Sequence, residues 1–432
     1  MTLRFARWQT GRPTGAATST APALAAVSSN PALLRLAHSP RVLMLQGPVG
    51  PFFDRLAGWL ALQGVEVHRV VFQPGDRRDC QALDPIEYTG SRADWPDQLD
   101  RLIATLRIDT LVLFGQVRPL HVSAMARARE LGLSVVVLEE GYVRPGYVTM
   151  ELGGVNAMST TLQRYQWVPV SPGPQVSTQR APHVPHEFWQ MAWFACRHYW
   201  ALNRNRPIAP DYRHHRQTDL LHHSLHWFKS WAQKHVKSLP DHLRIKALQG
   251  SPYYFIPLQQ DGDSQITHHS RFESVIDFLG EVMASFARHA PADSHLVIRQ
   301  HPHARGERGQ AQFLRELSRQ LGVQGRVSYL IEGHTPTLVS CSRGVVVINS
   351  TVGLQALMHN KPLAVLGDAM YRQPGLCFAG SLDEFWSAAP APLPEHTRHF
   401  LEQLIALTQV PCNVYGKADE PLHWRVQPQA IA

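Results

Sequence analysis

Long apolar runs are missing from this sequence. A helix that crosses a bilayer needs about 18 or more apolar residues in a row, and no such stretch occurs, so no membrane span is expected. Cysteine is scarce: Cys80, Cys196, Cys341, Cys377 and Cys412 are scattered, with no Cys-x-x-Cys pair. That pattern argues against a disulfide framework or a zinc knuckle and fits a reducing compartment. No Lys/Arg run is long enough for a nucleic-acid arm, so no nucleic-acid partner is expected. The loop at Gly47, Pro48 and Gly50 lacks the Lys-Ser/Thr ending of an ATP-binding P-loop and the spacing of a dinucleotide fingerprint.

What is present is a basic, core-forming chain. Its 432 residues are 44% hydrophobic and carry a formal net charge of +8. That length supports roughly two to three domains. The charge favours an anionic partner, such as an anionic lipid surface or a phosphorylated substrate. The Ala-, Ser-, Thr- and Pro-rich start, residues 1–39, reads as a disordered leader rather than a signal peptide.

Order is expected from Arg41. "RVLMLQG", "VEVHRVVF", "DTLVLFG" and "LSVVVLEEG" read as strands separated by amphipathic helices, with Gly at the joints. The same grammar returns in "SPYYFIPLQ", "SHLVIRQHP", "RVSYLIEG", "GVVVINS" and "KPLAVLG". Apolar strands alternating with helices predict parallel sheets covered on both faces. The expected fold class is therefore α/β and GT-B-like: two Rossmann-like domains, residues 40–158 and 251–388, facing a cleft. Residues 159–250 form a Pro-rich and helical, basic-aromatic linker, and 389–432 a C-terminal helix and tail. In the linker Trp189, Trp193, Phe194, Trp200, Trp227, Phe228 and Trp231 alternate with Arg, His and Lys. Such helices either lie on anionic lipid or pack between the halves.

Five stretches carry candidate chemistry. Asn349, Ser350 and Thr351 stand where a buried strand hands over to a helix. There hydroxyls either cap the helix or help it hold an anion. Arg299, Gln300, His301 and Pro302 follow a strand, and ligands of open α/β sheets bind outside those ends. A surface loop that happens to contain His is the plain alternative. Glu139 and Glu140, turned by Gly141, stand at another strand end as a general acid/base pair or as loop charges. Asp261-Gly262-Asp263 resembles a metal-holding Asp-x-Asp, but it is also a common turn. Such a motif serves nucleotide-sugar substrates; we expect no metal and a direct role on the sugar for one of these aspartates, Asp263 preferred over Asp261. Gly47 and Gly50 can bring backbone N–H groups to a substrate, or make a plain strand-to-helix turn.

"LQGPVGPFF", "EEGYVRP", "RQHP", "GHTPTLVSCSRGVVVINSTVGLQALMHNKPLAVLG" and "PGLCFAGSLDEFW", in this order, resemble the KpsS/LipB-type capsular polysaccharide biosynthesis proteins over about residues 41–388. The resemblance implies a retaining β-Kdo transferase that moves Kdo from CMP-β-Kdo to a phosphatidylglycerol-type lipid, starting the linker that anchors capsule. It implies the cytoplasmic face of a Gram-negative inner membrane, beside a partner Kdo transferase and an ABC-type capsule exporter. It implies an acceptor-side first domain and a nucleotide-sugar-binding second domain, with no cofactor beyond the donor. His301, Ser350 and Thr351 match positions that contact the CMP phosphate. Glu139-Glu140-Gly141, with Arg144 downstream, matches the acidic motif supplying the acid/base. Gln259 and Asp263 match a Gln-x-x-x-Asp spacing whose Asp attacks the sugar. Arg299 stands where related modules carry Lys, which keeps charge but changes geometry. Two alternatives stay open: a non-catalytic scaffold of the capsule assembly, and a metal-dependent sugar-diphosphate transferase.

Overall fold

Runs of Val, Leu, Ile and Phe become strands wherever both faces of a sheet are covered by helices. The computed structural model describes residues 27–163, 187–209, 240–248, 250–260, 266, 269–301 and 309–427. The first sheet holds β1 (Arg41–Met44), β2 (Glu66–Val71), β3 (Ile86–Glu87), β4 (Thr110–Phe114), β5 (Ser134–Glu140) and β6 (Tyr147–Leu152). The second holds β7 (Tyr253–Pro257), β8 (His295–Arg299), β9 (Val327–Leu330), β10 (Gly344–Val347) and β11 (Leu363–Val365). A last strand, β12 (Gln409–Pro411), returns to the first sheet.

The strand orders are β12-β6-β5-β4-β1-β2-β3 and β11-β10-β7-β8-β9. The second sheet pairs in parallel throughout. In the first, β6 runs antiparallel to both β5 and β12. The α/β, GT-B-like pair of Rossmann-like halves expected from the sequence is the architecture observed. Fully buried β4 and β10 show why their sequences, Thr-Leu-Val-Leu-Phe and Gly-Val-Val-Val, lack alternation. Helices are closed locally. Ser274 accepts from the Asp277 N–H ahead of Val275–His289, and Ser381 with Glu384 forms a capping box ahead of Leu382–Ala388.

One region differs from the sequence reading. Part of the stretch assigned to a disordered leader is a helix, Pro31–Ala37, whose N-cap Asn30 accepts from the Leu33 N–H. Leu33 and Leu36 are buried, and Asn30 Nδ2 donates to the Met150 and Leu407 carbonyls at 3.0 Å each. Ala/Ser composition concealed a capped, Pro-initiated turn with two leucines three apart. The C-terminal segment, expected as a helix and tail, is packed along both halves. Phe400 and Leu404 of helix Pro394–Thr408 share a core with Leu354 and Leu357 of the second half, with Leu111 and Leu113 of the first, and with Leu162 just after it. After β12 the chain wraps helix Phe52–Leu62. Buried Arg55 donates to the Asn413 and Glu420 carbonyls at 2.6 Å each, and Trp424 meets Trp59 edge-on at 5.4 Å. The C-terminus thus ties the two halves together.

Candidate active site at the strand ends

In a parallel sheet the C-terminal strand ends share one edge, and there the backbone leaves groups for ligands. In the first half, three such ends meet around Gly115, just after β4. Its φ of +78° is a left-handed conformation that suits glycine. A side chain starting there would lie 3.7 Å from both Arg118 Nε and Glu139 Oε1. Arg118 also donates through Nη1 to the carbonyls of Gln46 and Gly47, at 3.3 and 3.1 Å. His121, fully buried, meets the Gly115 carbonyl through Nδ1 at 2.6 Å. Burial and the Arg118 charge push its pKa down to about 3, so the imidazole is neutral and Nδ1 carries the proton.

Glu139 and Glu140 are the last residues of β5, opposite Thr149 and Val148 of β6, rather than the first residues beyond it. Glu140 is held on both oxygens. Tyr415 donates to Oε1 at 2.8 Å, and Arg144 Nη1 lies 2.7 Å from Oε2. Gly141 follows because nothing larger fits: a Cβ would lie 2.5 Å from the Tyr147 carbonyl oxygen and 2.7 Å from that of Val143. The turn is pinned from below. Thr149 Oγ1 accepts from the Tyr142 N–H and donates to the Glu140 carbonyl, and Gln409 of β12 donates to the same hydroxyl.

Under this turn lies Glu151, which sequence reasoning passed over. It accepts from the Tyr142 hydroxyl at 2.6 Å and from Ser159. Burial pushes its pKa up to about 7, against the opposing pull of those hydroxyls. Tyr142, buried beside that carboxylate, is held well above the ordinary phenol range.

Gly47 and Gly50 are packed rather than open. A Cβ on Gly47 would meet the Phe53 ring at 2.8 Å, and one on Gly50, where φ is +92°, would meet Phe194 at 2.8 Å. Beneath the loop, Gln46 donates to Asp76 at 2.9 Å, and His198 Nδ1 meets the Asp79 carboxylate at 2.6 Å. Burial raises the Asp79 pKa, and the His198 bond opposes the rise.

In the second half, the ends of β7 and β10 are clasped together. Gln259 Nε2 donates to Asn349 Oδ1 at 2.9 Å, the Asn349 N–H returns to Gln259 Oε1 at 3.4 Å, and Asn349 Nδ2 donates to the His269 carbonyl. Two residues singled out separately in the sequence thus form one reciprocal pair. Ser350 Oγ accepts from the Val352 N–H at 3.3 Å, which leaves its own O–H available to donate. Thr351 is the N-cap of helix Val352–Met358 yet makes no side-chain capping bond. Tyr371 donates to the Ser350 carbonyl and packs over Gly353, whose added Cβ would lie against the ring.

Arg299, at the end of β8, donates to Thr335 Oγ1 at 2.6 Å, and half-buried His301 follows it. Sequence reasoning missed Arg118, Tyr371 and Tyr415. Only Arg118, between a strand-end glycine and a helix-initiating Pro119, carried a local signal. Asp261, Asp263 and Pro302 lie outside the described residues, as do Trp227, Phe228 and Trp231. Among the described residues, no cluster of three or more His, Cys, Asp or Glu is placed to hold a metal ion.

The family model described as capsule polysaccharide biosynthesis protein matches residues 109–415. The capsule polysaccharide export protein KpsS of Escherichia coli is 36% identical over 379 residues, covering 85% of this chain and 95% of that protein. The capsule polysaccharide modification protein LipB of Neisseria meningitidis serogroup A is 35% identical over 392 residues, covering 88% and 93%. Among solved structures, the Thermosulfurimonas dismutans KpsC β-Kdo 2,4 transferase aligns with a TM-score of 0.41 at 13% identity, over 85% of this chain and 90% of that one. With more than half its length matched by the family model and with relatives of this identity aligned almost end to end, the chain belongs to the capsule polysaccharide biosynthesis protein family.

Proposed function

We propose that this capsule polysaccharide biosynthesis protein is a retaining glycosyltransferase that moves Kdo from CMP-β-Kdo to a phosphatidylglycerol-type lipid. The observation that carries this reading is the division of chemistry between the two sheets. A carboxylate clamped on both oxygens ends β5, while an imidazole and two hydroxyls stand beyond β8 and β10. The first set suits proton transfer and the second suits an anion.

On this reading His301 and the hydroxyls of Ser350 and Thr351 take the CMP phosphate. The Gln259–Asn349 clasp keeps the β7 and β10 ends in register with it. Asp263 attacks the anomeric carbon, the carbon–oxygen bond to phosphate breaks, and CMP departs with the bonding electrons. The lipid hydroxyl then attacks the same carbon and displaces Asp263, while Glu140 accepts the hydroxyl proton. Two inversions give net retention. Asp261 is the alternative nucleophile. Phosphate needs less neutralisation as a monophosphate than as a diphosphate leaving group, so Arg299, His301 and hydroxyl donors serve without a metal.

The lipid acceptor puts this work at an anionic inner-membrane surface. No helix among the described residues is long and apolar enough to cross a membrane. Contact is peripheral in this account, beside a partner Kdo transferase and the exporter. The test is release of CMP from CMP-Kdo by the purified full-length protein with a phosphatidylglycerol acceptor. Acceptor-dependent release is expected, and its absence from folded protein that binds CMP overturns the reading.

A further inference from the structure

The helix Glu187–Arg204 is built with two unlike sides. Its inner side is fixed to the first half: Phe194 lies against Gly50, His198 is bonded to Asp79, and Ala201 is buried. Its outer side carries Trp189, Trp193 and Trp200, which are 70%, 63% and 51% exposed. Steps of four and seven residues put the three indoles in one stripe along the helix. Arg204 closes that stripe, its guanidinium 5.6 Å from the Trp200 ring centroid. Single exposed apolar residues are ordinary, but three aligned indoles are a patch.

Charge decides what the patch meets. By sequence the only carboxylate in the helix is Glu187, at its first position, whereas Arg197, Arg204 and Arg206 follow. Indoles backed by guanidinium groups, with no acid among them, suit the headgroup zone of an anionic bilayer, where Trp settles with its ring partly in hydrocarbon. Of the two sequence readings for Trp189, Trp193 and Trp200, packing between the halves is the one their exposure opposes.

We infer that the outer face of helix Glu187–Arg204 docks this protein on an anionic lipid surface, with Trp189, Trp193 and Trp200 inserted and Arg197 and Arg204 at the phosphates. The placement has a consequence for the acceptor. The same helix holds the Gly47–Gly50 loop from beneath, so docking brings the first half's strand ends beside the membrane. The inference rests on the proposed lipid acceptor only for its purpose, and its test needs no turnover.

The test is co-sedimentation of the full-length protein with vesicles of phosphatidylcholine alone or mixed with phosphatidylglycerol. Binding to the mixed vesicles, weakened by salt, is expected. W189S/W193S/W200S should lower partitioning at least about tenfold. R197Q/R204Q should remove the preference for phosphatidylglycerol. Tryptophan quenching of the unaltered protein by lipids brominated in their acyl chains is expected as well, and it does not depend on any variant folding. Binding by the triple variant equal to the parent, or no quenching, overturns the inference, as does parent protein that ignores both vesicle types. Capture by a protein partner with no vesicle binding overturns it too. Vesicle binding without CMP release leaves this inference standing and removes the transferase reading instead.

Discussion

The hydroxyl of Tyr415 donates to Oε1 of Glu140 at 2.8 Å across 275 positions of sequence. The contact exists because helix Pro394–Thr408 returns the chain to the first half and β12 pairs with β6. A residue from beyond the second domain therefore aims the carboxylate at the end of the first domain's β5. Arg144 secures the other oxygen.

Removing that aim should separate positioning from chemistry. Glu140→Gln deletes the proposed proton acceptor and should lower turnover by about 10²–10⁴-fold. Tyr415→Phe keeps the carboxylate but loosens it, and should lower kcat by about tenfold, with a stability cost of about 1 kcal/mol. Steady-state kinetics with thermal melting checks both. Equal activity of Tyr415→Phe and the parent would remove the positioning role.

Gly141 is fixed by backbone rather than by flexible side chains. Gly141→Ala would press Cβ against the Tyr147 and Val143 carbonyls. We expect about 1–3 kcal/mol of destabilisation together with a fall in turnover, since the turn that carries Glu140 must shift. Urea denaturation and kinetics measure the two effects. An unchanged denaturation midpoint would contradict the packing described.

Glu151 predicts a pH dependence of stability. Its pKa rises from 4.5 in the unfolded chain to about 7 in the fold. The fold therefore prefers the protonated form, and the sign is the reverse of a salt-bridged carboxylate. The stabilisation is fully present below pH 4.5 and is lost as pH rises through 7, about 3 kcal/mol in all. Glu151→Gln, which stays neutral and can still accept from Tyr142, should flatten the decline in melting temperature between about pH 5 and 8. Parallel curves for the two proteins would contradict this assignment.

The two aspartates of the Asp-Gly-Asp stretch give opposite expectations. Asp263→Ala should abolish turnover while CMP still raises the melting temperature. Asp261→Ala should retain measurable turnover. The reverse pattern would move the nucleophile to Asp261, and full activity of both variants would remove the covalent route.

The sequence made the buried parallel strands legible, because Tyr-Tyr-Phe-Ile-Pro or Ser-Val-Val-Val-Leu has no exposed face to interrupt it. It also pointed to the strand-end polar residues, since ligands of such sheets have few other places to bind. What it could not show were partners distant in the chain. β12 is three residues long and reads as a strand only against β6. Tyr415 and Tyr371 lie in stretches with no periodicity that points to Glu140 or Ser350. Glu151 sits in a strand whose alternation would ordinarily turn a carboxylate outward, and hydroxyl partners such as Tyr142 and Ser159 explain its burial. In helix Glu187–Arg204, aromatics occupy both sides, so composition named the helix without telling which indoles face out.

The most direct measurement is mass spectrometry, with NMR of the anomeric linkage, of the lipid recovered after full-length protein is incubated with CMP-Kdo and a phosphatidylglycerol acceptor. A lipid heavier by one Kdo residue, in β linkage, is expected from the parent, and with Glu140→Gln it should form about 10²–10⁴-fold more slowly. Unmodified lipid from folded parent protein that binds CMP, or a product of inverted configuration, would contradict it.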